Sequence, residues 1–319
     1  MIKTVLTDLL HIKYPIFNAP MAGSATAELA GAVSNSGGFG MLGMGSTVPD
    51  PEWLGFQIKR VRDITANPFG VGFITSVDGI DGLVRLAIEH KVDLIGHSFS
   101  DPSPYVSDAK KAGIKVLAQV QTVEQAIHAR DSGVDLLVAQ GTDGGGHTGH
   151  IGTISIVPAV VDACPGIPII AAGGITDGRG IIAALALGAS GVWVGSRFVA
   201  SHEWAGPDWA KHALTEVGAD DTVITKSYDL ATDAPFPFQV GHRVIRNQFT
   251  DKWHQNYEEL LEHKEDLKTD IALAMENADM TVAPVSAGSG SGSIKSVDNV
   301  SKIISTLMDE AESVLKNLI

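Results

Sequence analysis

The sequence predicts a (β/α)8 TIM barrel with a smaller, mainly helical excursion after the eighth strand. Three observations predict it. Short apolar or β-branched runs alternate with helix-like stretches from the N-terminus to about residue 200, the rhythm of a parallel sheet with crossover helices. Eight such runs can be counted, the number a closed barrel needs. The last two end in glycine-rich turns, where barrels of this kind often hold phosphate.

The eight strands are expected near Ile16–Ala19, Phe39–Leu42, Gly70–Phe73, Leu94–Ser98, Val116–Val120, Leu136–Ala139, Ile169–Ala172 and Val192–Val194. Between them, Ala27–Asn35 carries Leu29 and Val33 four apart and ends at Gly37-Gly38, a glycine stop for a helix. Thr122 is placed to cap a helix over Val123–Arg130, with Glu124 in its first turn and Ser132-Gly133 at its end. After about Ala200 the rhythm breaks, and a helix is expected over Trp253–Lys268. The closing segment places Val300, Ile303, Ile304, Leu307, Met308 and Ala311 at helical spacing, so it supplies the last barrel helix. The expected division is therefore a barrel of residues 1–200 plus 285–319 and a helical or irregular subdomain of residues 201–284. The tract Ser286–Ser293 before the last helix reads either as a flexible connection or as a loop touching a ligand.

With 319 residues and 44% hydrophobic content, the chain can bury a substantial core without staples. Its apolar stretches are short, and its start has neither a secretory nor a membrane-spanning profile, so a soluble, cytoplasmic protein is expected. The formal charge of −14 argues against nucleic acid and anionic membranes as partners. An anionic small ligand remains open, because backbone N–H groups hold phosphate without lysine. The single cysteine, Cys164, lies in a Cys-Pro-Gly turn and reads as an ordinary small residue; it rules out an internal disulfide and a cysteine-rich metal site. The histidines form no metal-ligand pattern, and no metal is expected.

The chemistry is expected at the C-terminal ends of the strands. Gly173-Gly174 and Gly195-Ser196 end successive strands, one strand–helix unit apart. Glycine lets the backbone approach an anion closely, and the helix start that follows supplies donors, so the pair reads as a phosphate site, the alternative being turns needed only for packing. Arg197 would add charge to that phosphate or serve as a surface ion-pair partner. After the sixth strand, three glycines, Gly144, Gly145 and Gly146, precede His147, which lets the backbone run under a flat ligand and present one imidazole for proton transfer. The alternative is a histidine that ties down its own loop. Asp143 would orient the loop or a histidine. The first strand ends in Ala19-Pro20-Met21, a proline-fixed turn able to lie against an aromatic ring system. Gln119 ends the fifth strand with an amide able to reach a carbonyl or ring nitrogen. In Gly96-His97-Ser98, strand alternation sends only one side chain inward; Ser98 is favoured and His97 read as structural.

Together, Ala19-Pro-Met-Ala-Gly23, Phe69-Gly-Val-Gly-Phe73, Gly141-Thr-Asp-Gly-Gly-Gly-His147, Ala171-Ala-Gly-Gly-Ile175 and Val194-Gly-Ser-Arg-Phe198 resemble the nitronate monooxygenase family, formerly called 2-nitropropane dioxygenases. The resemblance covers nearly the whole chain, the excursion and the Gly/Ser loop included. It implies non-covalent FMN, with its phosphate on Gly173, Gly174, Gly195 and Ser196 and its ring near Ala19, Pro20, Met21, Gln119, Gly145 and Gly146. It further implies that His147 matches the family's catalytic histidine, acting on a neutral nitroalkane or hydrogen-bonding an ionised nitronate. The implied reaction oxidises alkyl nitronates, or nitroalkanes, with O2 to a carbonyl compound and nitrite, with a homodimer as the possible assembly. The chain departs from the family pattern in having Asp143-Gly144 where members often have Glu-Ala, and Gly72 where they often have asparagine. The rival of the same fold is an FMN-dependent enoyl-acyl-carrier-protein reductase using NAD(P)H. Inosine monophosphate dehydrogenase-like barrels need a catalytic cysteine in a loop after a strand, whereas Cys164 precedes the seventh. A barrel that binds a phosphate ligand without turnover is the non-enzymatic alternative.

Overall fold

A computed structural model describes residues 2–45 and 50–318. Its strands are β1 (Ile16–Asn18), β2 (Gly40–Met44), β3 (Phe69–Ile74), β4 (Leu94–Ser98), β5 (Lys115–Val120), β6 (Leu136–Gln140), β7 (Gly146–Thr148), β8 (Ile169–Ala172), β9 (Gly191–Val194), β10 (Thr222–Thr225) and β11 (Gly241–Ile245). Eight of them form one parallel sheet in the order β1-β9-β8-β6-β5-β4-β3-β2. A parallel bridge from Phe17 to Phe39 brings its two ends together, so the sheet is a (β/α)8 barrel. Among the described residues no helix is long and apolar enough to cross a membrane.

Alternation along the strands divides the core in two. Phe17, Met41, Leu94, Leu117, Leu136, Val138, Ile170 and Trp193 turn into the barrel. There they meet Leu6 and Leu10 of the N-terminal helix Val5–Leu10, which packs on this interior cluster. The neighbouring positions, among them Ile16, Val71, Ile95, Val116, Leu137, Ala171 and Val192, face the surrounding helices. The apolar face of the last helix, Val300–Leu318, packs on the helices Gly178–Ala186 and Ala27–Asn35, completing the outer ring.

The seam between β1 and β2 is closed by a side chain rather than by a full ladder. Buried Asn18 donates from Nδ2 to the Met41 carbonyl (2.8 Å) and accepts the Met41 N–H at Oδ1 (2.8 Å), imitating a backbone pair. The Phe39 N–H adds a bond to the Ile16 carbonyl (2.8 Å).

The excursion differs from a simple helical insert. Its strands β10 and β11 are antiparallel, and β11 also pairs with β7, which belongs to the loop after β6. The helix expected over Trp253–Lys268 is instead three: Gln248–Trp253, Tyr257–Glu262 and Lys264–Asn277. The chain breaks at Gln255, where φ is +68°, a conformation that helix-forming side chains resist. Asn247 caps the first of these helices in a reciprocal box with Thr250.

His97 faces the helix layer. Its ring stacks on Tyr105 with centroids 4.7 Å apart, and its Nδ1 lies 3.0 Å from the Thr75 hydroxyl. Burial pushes its pKa down to about 4, against a smaller opposing pull from Asp101.

Replacing Asn18 with alanine strands the Met41 N–H and carbonyl in the buried seam, at a cost of about 2 kcal/mol. A thermal melt should drop by several degrees; an unchanged midpoint would mean that the seam is held by other groups. For His97 the sign follows from its depressed pKa. The unfolded chain takes up a proton below its ordinary value of 6.5, whereas the folded chain does so only near 4. Its stabilisation is thus complete above pH 6.5 and lost as pH falls through that window, by up to about tenfold in the unfolding constant per pH unit. Denaturant titrations at pH 7 and pH 5 should show a smaller pH effect for His97→Phe than for the native protein.

Candidate functional site

The C-terminal ends of the barrel strands open into a cavity of about 670 Å³. Ala19, Pro20, Met21, Gln119, Gly145, Gly146, His147, Gly195 and Ser196 all line it, with Ser98 beside them. Close backbone approach makes this possible. A Cβ on Gly43 would sit 2.3 Å from the Met21 carbonyl oxygen, and one on Gly72 would sit 2.3 Å from Pro20 Cγ. Pro20 therefore fills the space that a larger residue at position 72 would need, so the glycine and the proline-fixed turn are one packing solution.

Gln119 is oriented before any ligand arrives. Its Oε1 accepts from the Ser98 hydroxyl (2.8 Å), which leaves Nε2 buried without a partner among the described residues. A donor in that state is costly unless a ligand acceptor meets it.

His147 lies on β7, directly opposite His242 of β11. Its Nε2 is 2.8 Å from Asp229 Oδ1, and both side chains are nearly buried. The donor is the imidazole N–H, so Nδ1 carries the lone pair of the neutral ring. Phe236 stacks on the same ring with centroids 3.3 Å apart, and His242 stacks at 4.4 Å. His242 is bonded through Nε2 to the Ser286 hydroxyl (2.9 Å); burial, reinforced by His147, pushes its pKa down to about 3. Lys226 lies 3.8 Å from Asp229 Oδ2 and bonds to the Pro237 and Val240 carbonyls, and burial lowers its pKa. His147, Asp229 and His242 bring three ligand-type atoms within 4.8 Å of one another. The two imidazoles lie nearly parallel, at 20°, so their in-plane lone pairs run side by side and do not converge on one ion.

Gly173 and Gly174, expected at the phosphate, do not line the cavity; their φ values are positive, +109° and +73°. A Cβ on Gly173 would meet Thr153 Oγ1 at 2.7 Å, and one on Gly174 would meet Asp143 at 3.0 Å. Asp143 accepts the Thr153 N–H (2.8 Å) and a weaker bond from the Ser289 hydroxyl (3.4 Å). Burial would raise its pKa, but these bonds and the charge of Arg243 outweigh burial and hold the carboxyl below its usual range. Asp143 is thus the knot joining the histidine loop, the helix Thr153–Ala163 and the Gly/Ser tract.

That tract is a packed element and not a loose connection. Ser289–Ser293 form a 3-10 turn, Gly290 accepts from the Thr176 hydroxyl (2.9 Å), and the Gly288 N–H donates to Ser196 Oγ (3.0 Å). Arg197 is committed elsewhere: it pairs with Asp298 (2.9 Å) and donates to the Ala200 and Ser296 carbonyls. Cys164 is buried at a helix end, away from the cavity lining, and His150 is exposed and likewise outside that lining.

The opposite wall comes from the excursion: Trp204, Trp209, Phe236, Met275 and Pro284, with His242 and, beyond the lining itself, Asp229. Sequence reasoning did not single these out, because they lie far along the chain from the barrel motifs. The one available signal for His242 was its place in a short β-branched run, Gly241–Ile245, which reads as a strand.

Comparison with known proteins points one way for the family, while the similar proteins themselves are named for several reactions. Residues 3–310 match the nitronate monooxygenase family. A probable nitronate monooxygenase from Staphylococcus saprophyticus is 32% identical over 306 residues, covering 81% of this chain and 83% of that protein. A 5-hydroxy-7a-methyl-1-oxo-octahydro-1H-indene-4-carboxyl-CoA dehydrogenase from Mycobacterium tuberculosis is 34% identical over 253 residues, covering 79% of this chain and 68% of that one. Among solved structures, FabK from Thermotoga maritima superposes with a TM-score of 0.90 at 33% identity over 100% of this chain and 99% of its own. Nitroalkane oxidase from Streptomyces ansochromogenes superposes with a TM-score of 0.84 at 26% identity over 98% and 99%.

Proposed function

The chain belongs to the nitronate monooxygenase family, and from that membership and the geometry of its site we propose that it is an FMN-dependent oxidoreductase. Its reaction on this reading is the oxidation of alkyl nitronates, and of nitroalkanes once deprotonated, by O2 to a carbonyl compound and nitrite. The observation that carries the reading is His147, held by Asp229 on the wall of a cavity that is also lined by Gln119, whose Nε2 has no partner among the described residues.

The residues present fit the cofactor. Gln119 Nε2 is a buried donor that a flavin ring acceptor would satisfy, and the glycines beside Pro20 and Met21 keep that wall flat. On this reading Ala19, Pro20, Met21, Gln119, Gly145 and Gly146 hold the ring, and Gly195 and Ser196, which line the cavity, hold the phosphate, with Gly173 and Gly174, outside that lining, completing the phosphate turn. Residues 1–200 with 285–319 make the cofactor-holding barrel, and 201–284 supply the substrate wall. FMN, when bound, supplies the electron transfer and the reaction with O2.

His147 takes the α-proton of a neutral nitroalkane at Nδ1, because Nε2 is held by Asp229. Asp229 is a positioning residue: it fixes the tautomer and ring angle and balances the imidazolium once the proton arrives. With a preformed nitronate there is no proton to remove, and the imidazole serves as a hydrogen-bond partner.

A second reading, an FMN-dependent enoyl-acyl-carrier-protein reductase, is favoured by the whole-chain likeness to FabK and by the apolar outer wall.

Purified protein should show flavin absorbance that bleaches on anaerobic addition of butyl-1-nitronate without NAD(P)H, and should release nitrite when air is admitted. Bleaching by NAD(P)H alone would replace the proposal with the reductase. A colourless protein that does not take up FMN would remove both. His147→Ala should retain flavin and lose about 100-fold or more in kcat/KM on neutral nitrobutane, with a much smaller loss on the preformed nitronate. Asp229→Asn should show the same asymmetry between the two substrates. Equal losses on both would assign these residues to structure.

A further inference from the structure

The cavity has an asymmetry that the proposed reaction does not use. Facing the barrel ends is a wall built by the excursion, with Trp204, Trp209, Ala210, Phe236, Met275 and Pro284 as its main side chains. Among the described residues, no Asp, Glu, Lys or Arg lines the cavity; its ionisable side chains are His147 and His242. Three cations on the elements that frame the cavity are engaged with other groups. Lys226 is bound to two carbonyls and Asp229, Arg243 to the Thr142 carbonyl and the Thr222 hydroxyl, and Arg197 to Asp298.

A nitronate of two or three carbons would leave this wall wet, because the polar groups that would grip it gather around His147 and Gln119. A substrate with a second anionic group would place that group against rings and methyls where the Trp204 indole N–H is an unpartnered neutral donor but no counter-charge is present among the described lining residues, in a protein of net charge −14. An uncharged alkyl chain of several carbons has neither defect. Each methylene moved from water onto such a wall gains binding by about threefold to fourfold. Met275, on the helix Lys264–Asn277, is 41% exposed and still lines the cavity, so the wall reaches the mouth and a longer chain can follow it outward.

Resting on the reading above for the reacting end, we propose that the excursion is the specificity element. On this proposal the preferred substrate carries a long, uncharged, straight or bulky apolar tail that lies along Trp209, Phe236 and Met275, and carboxylated nitronates are discriminated against.

Tail recognition is measurable apart from turnover. FMN-reconstituted protein is titrated by calorimetry with the 1-alkanols from butanol to octanol, and with octanoate beside octanol. In parallel, kcat/KM is measured for ethyl- through octyl-1-nitronate and for propionate 3-nitronate. The expected result is a Kd that falls about threefold per methylene, at least tenfold weaker binding of octanoate, and the same gradient in kcat/KM. Met275→Gln at the mouth and Trp209→Ala further in should each flatten the gradient. The two are used together so that misfolding of one leaves the other informative. A Kd independent of chain length, octanoate binding as tightly as octanol, or gradients unchanged in both variants would overturn the proposal. Alkanol gradients present without any nitronate oxidation would support the tail site and remove the nitronate reading instead.

Discussion

Closure of the eight-stranded sheet between β1 and β2 is the constraint on which the rest depends. An open sheet would leave Phe17, Phe39 and Trp193 without a common interior and scatter the strand ends that form the cavity. At this seam two strands meet with little ladder between them, and Asn18 supplies the missing donor and acceptor. The next residues are Ala19, Pro20 and Met21. The same bonds that close the barrel therefore also set the turn that floors the cavity, so stability and site geometry share one anchor.

His147 owes its position to a second, smaller sheet. A histidine after three glycines is conformationally costly to order, because glycine loses the most backbone freedom. Pairing of β7 with β11 meets that cost by making Gly146–Thr148 an edge strand of the excursion's sheet. The pairing also sets His147 across from His242 and within reach of Asp229, which sits on the neighbouring helix Ser227–Thr232. The excursion is thereby joined to the barrel through backbone hydrogen bonds and not merely laid over it.

The departures from the family pattern belong to the same packing. Gly72 accommodates Pro20, and Asp143 ties the histidine loop to Thr153 and Ser289. Proteins of similar fold are named for chemistries as different as nitronate oxidation and a CoA-ester dehydrogenation. A shared barrel accommodates such differences when the reacting end is built by the strand termini and the substrate wall by an insertion.

Much of the architecture was legible in the sequence because it is local. Each of the eight barrel strands announces itself by a short β-branched or apolar run, whereas the second sheet of β7, β10 and β11 was not expected; the helix Ala27–Asn35 is marked by spacing and a glycine stop, and the last helix by a stripe from Val300 to Ala311. Part of the cavity's barrel side was legible too, since a fold that collects its strand ends at one face makes position along a strand equivalent to position in space; Gly173 and Gly174 were expected there and do not line it, and Phe73, Gln140 and Trp193 line it without having been singled out. What the sequence could not determine is which distant groups meet them. Arg197 offered phosphate or ion pair, and only tertiary packing brings it to Asp298. The Gly/Ser tract read equally as a tether, and only its contacts with Gly174, Thr176 and Ser196 make it a packed element. Asp229, Phe236 and His242 carry no local mark of their role, because hydrogen bonding and stacking depend on distance in space, and the partner of His147 lies 82 residues along the chain.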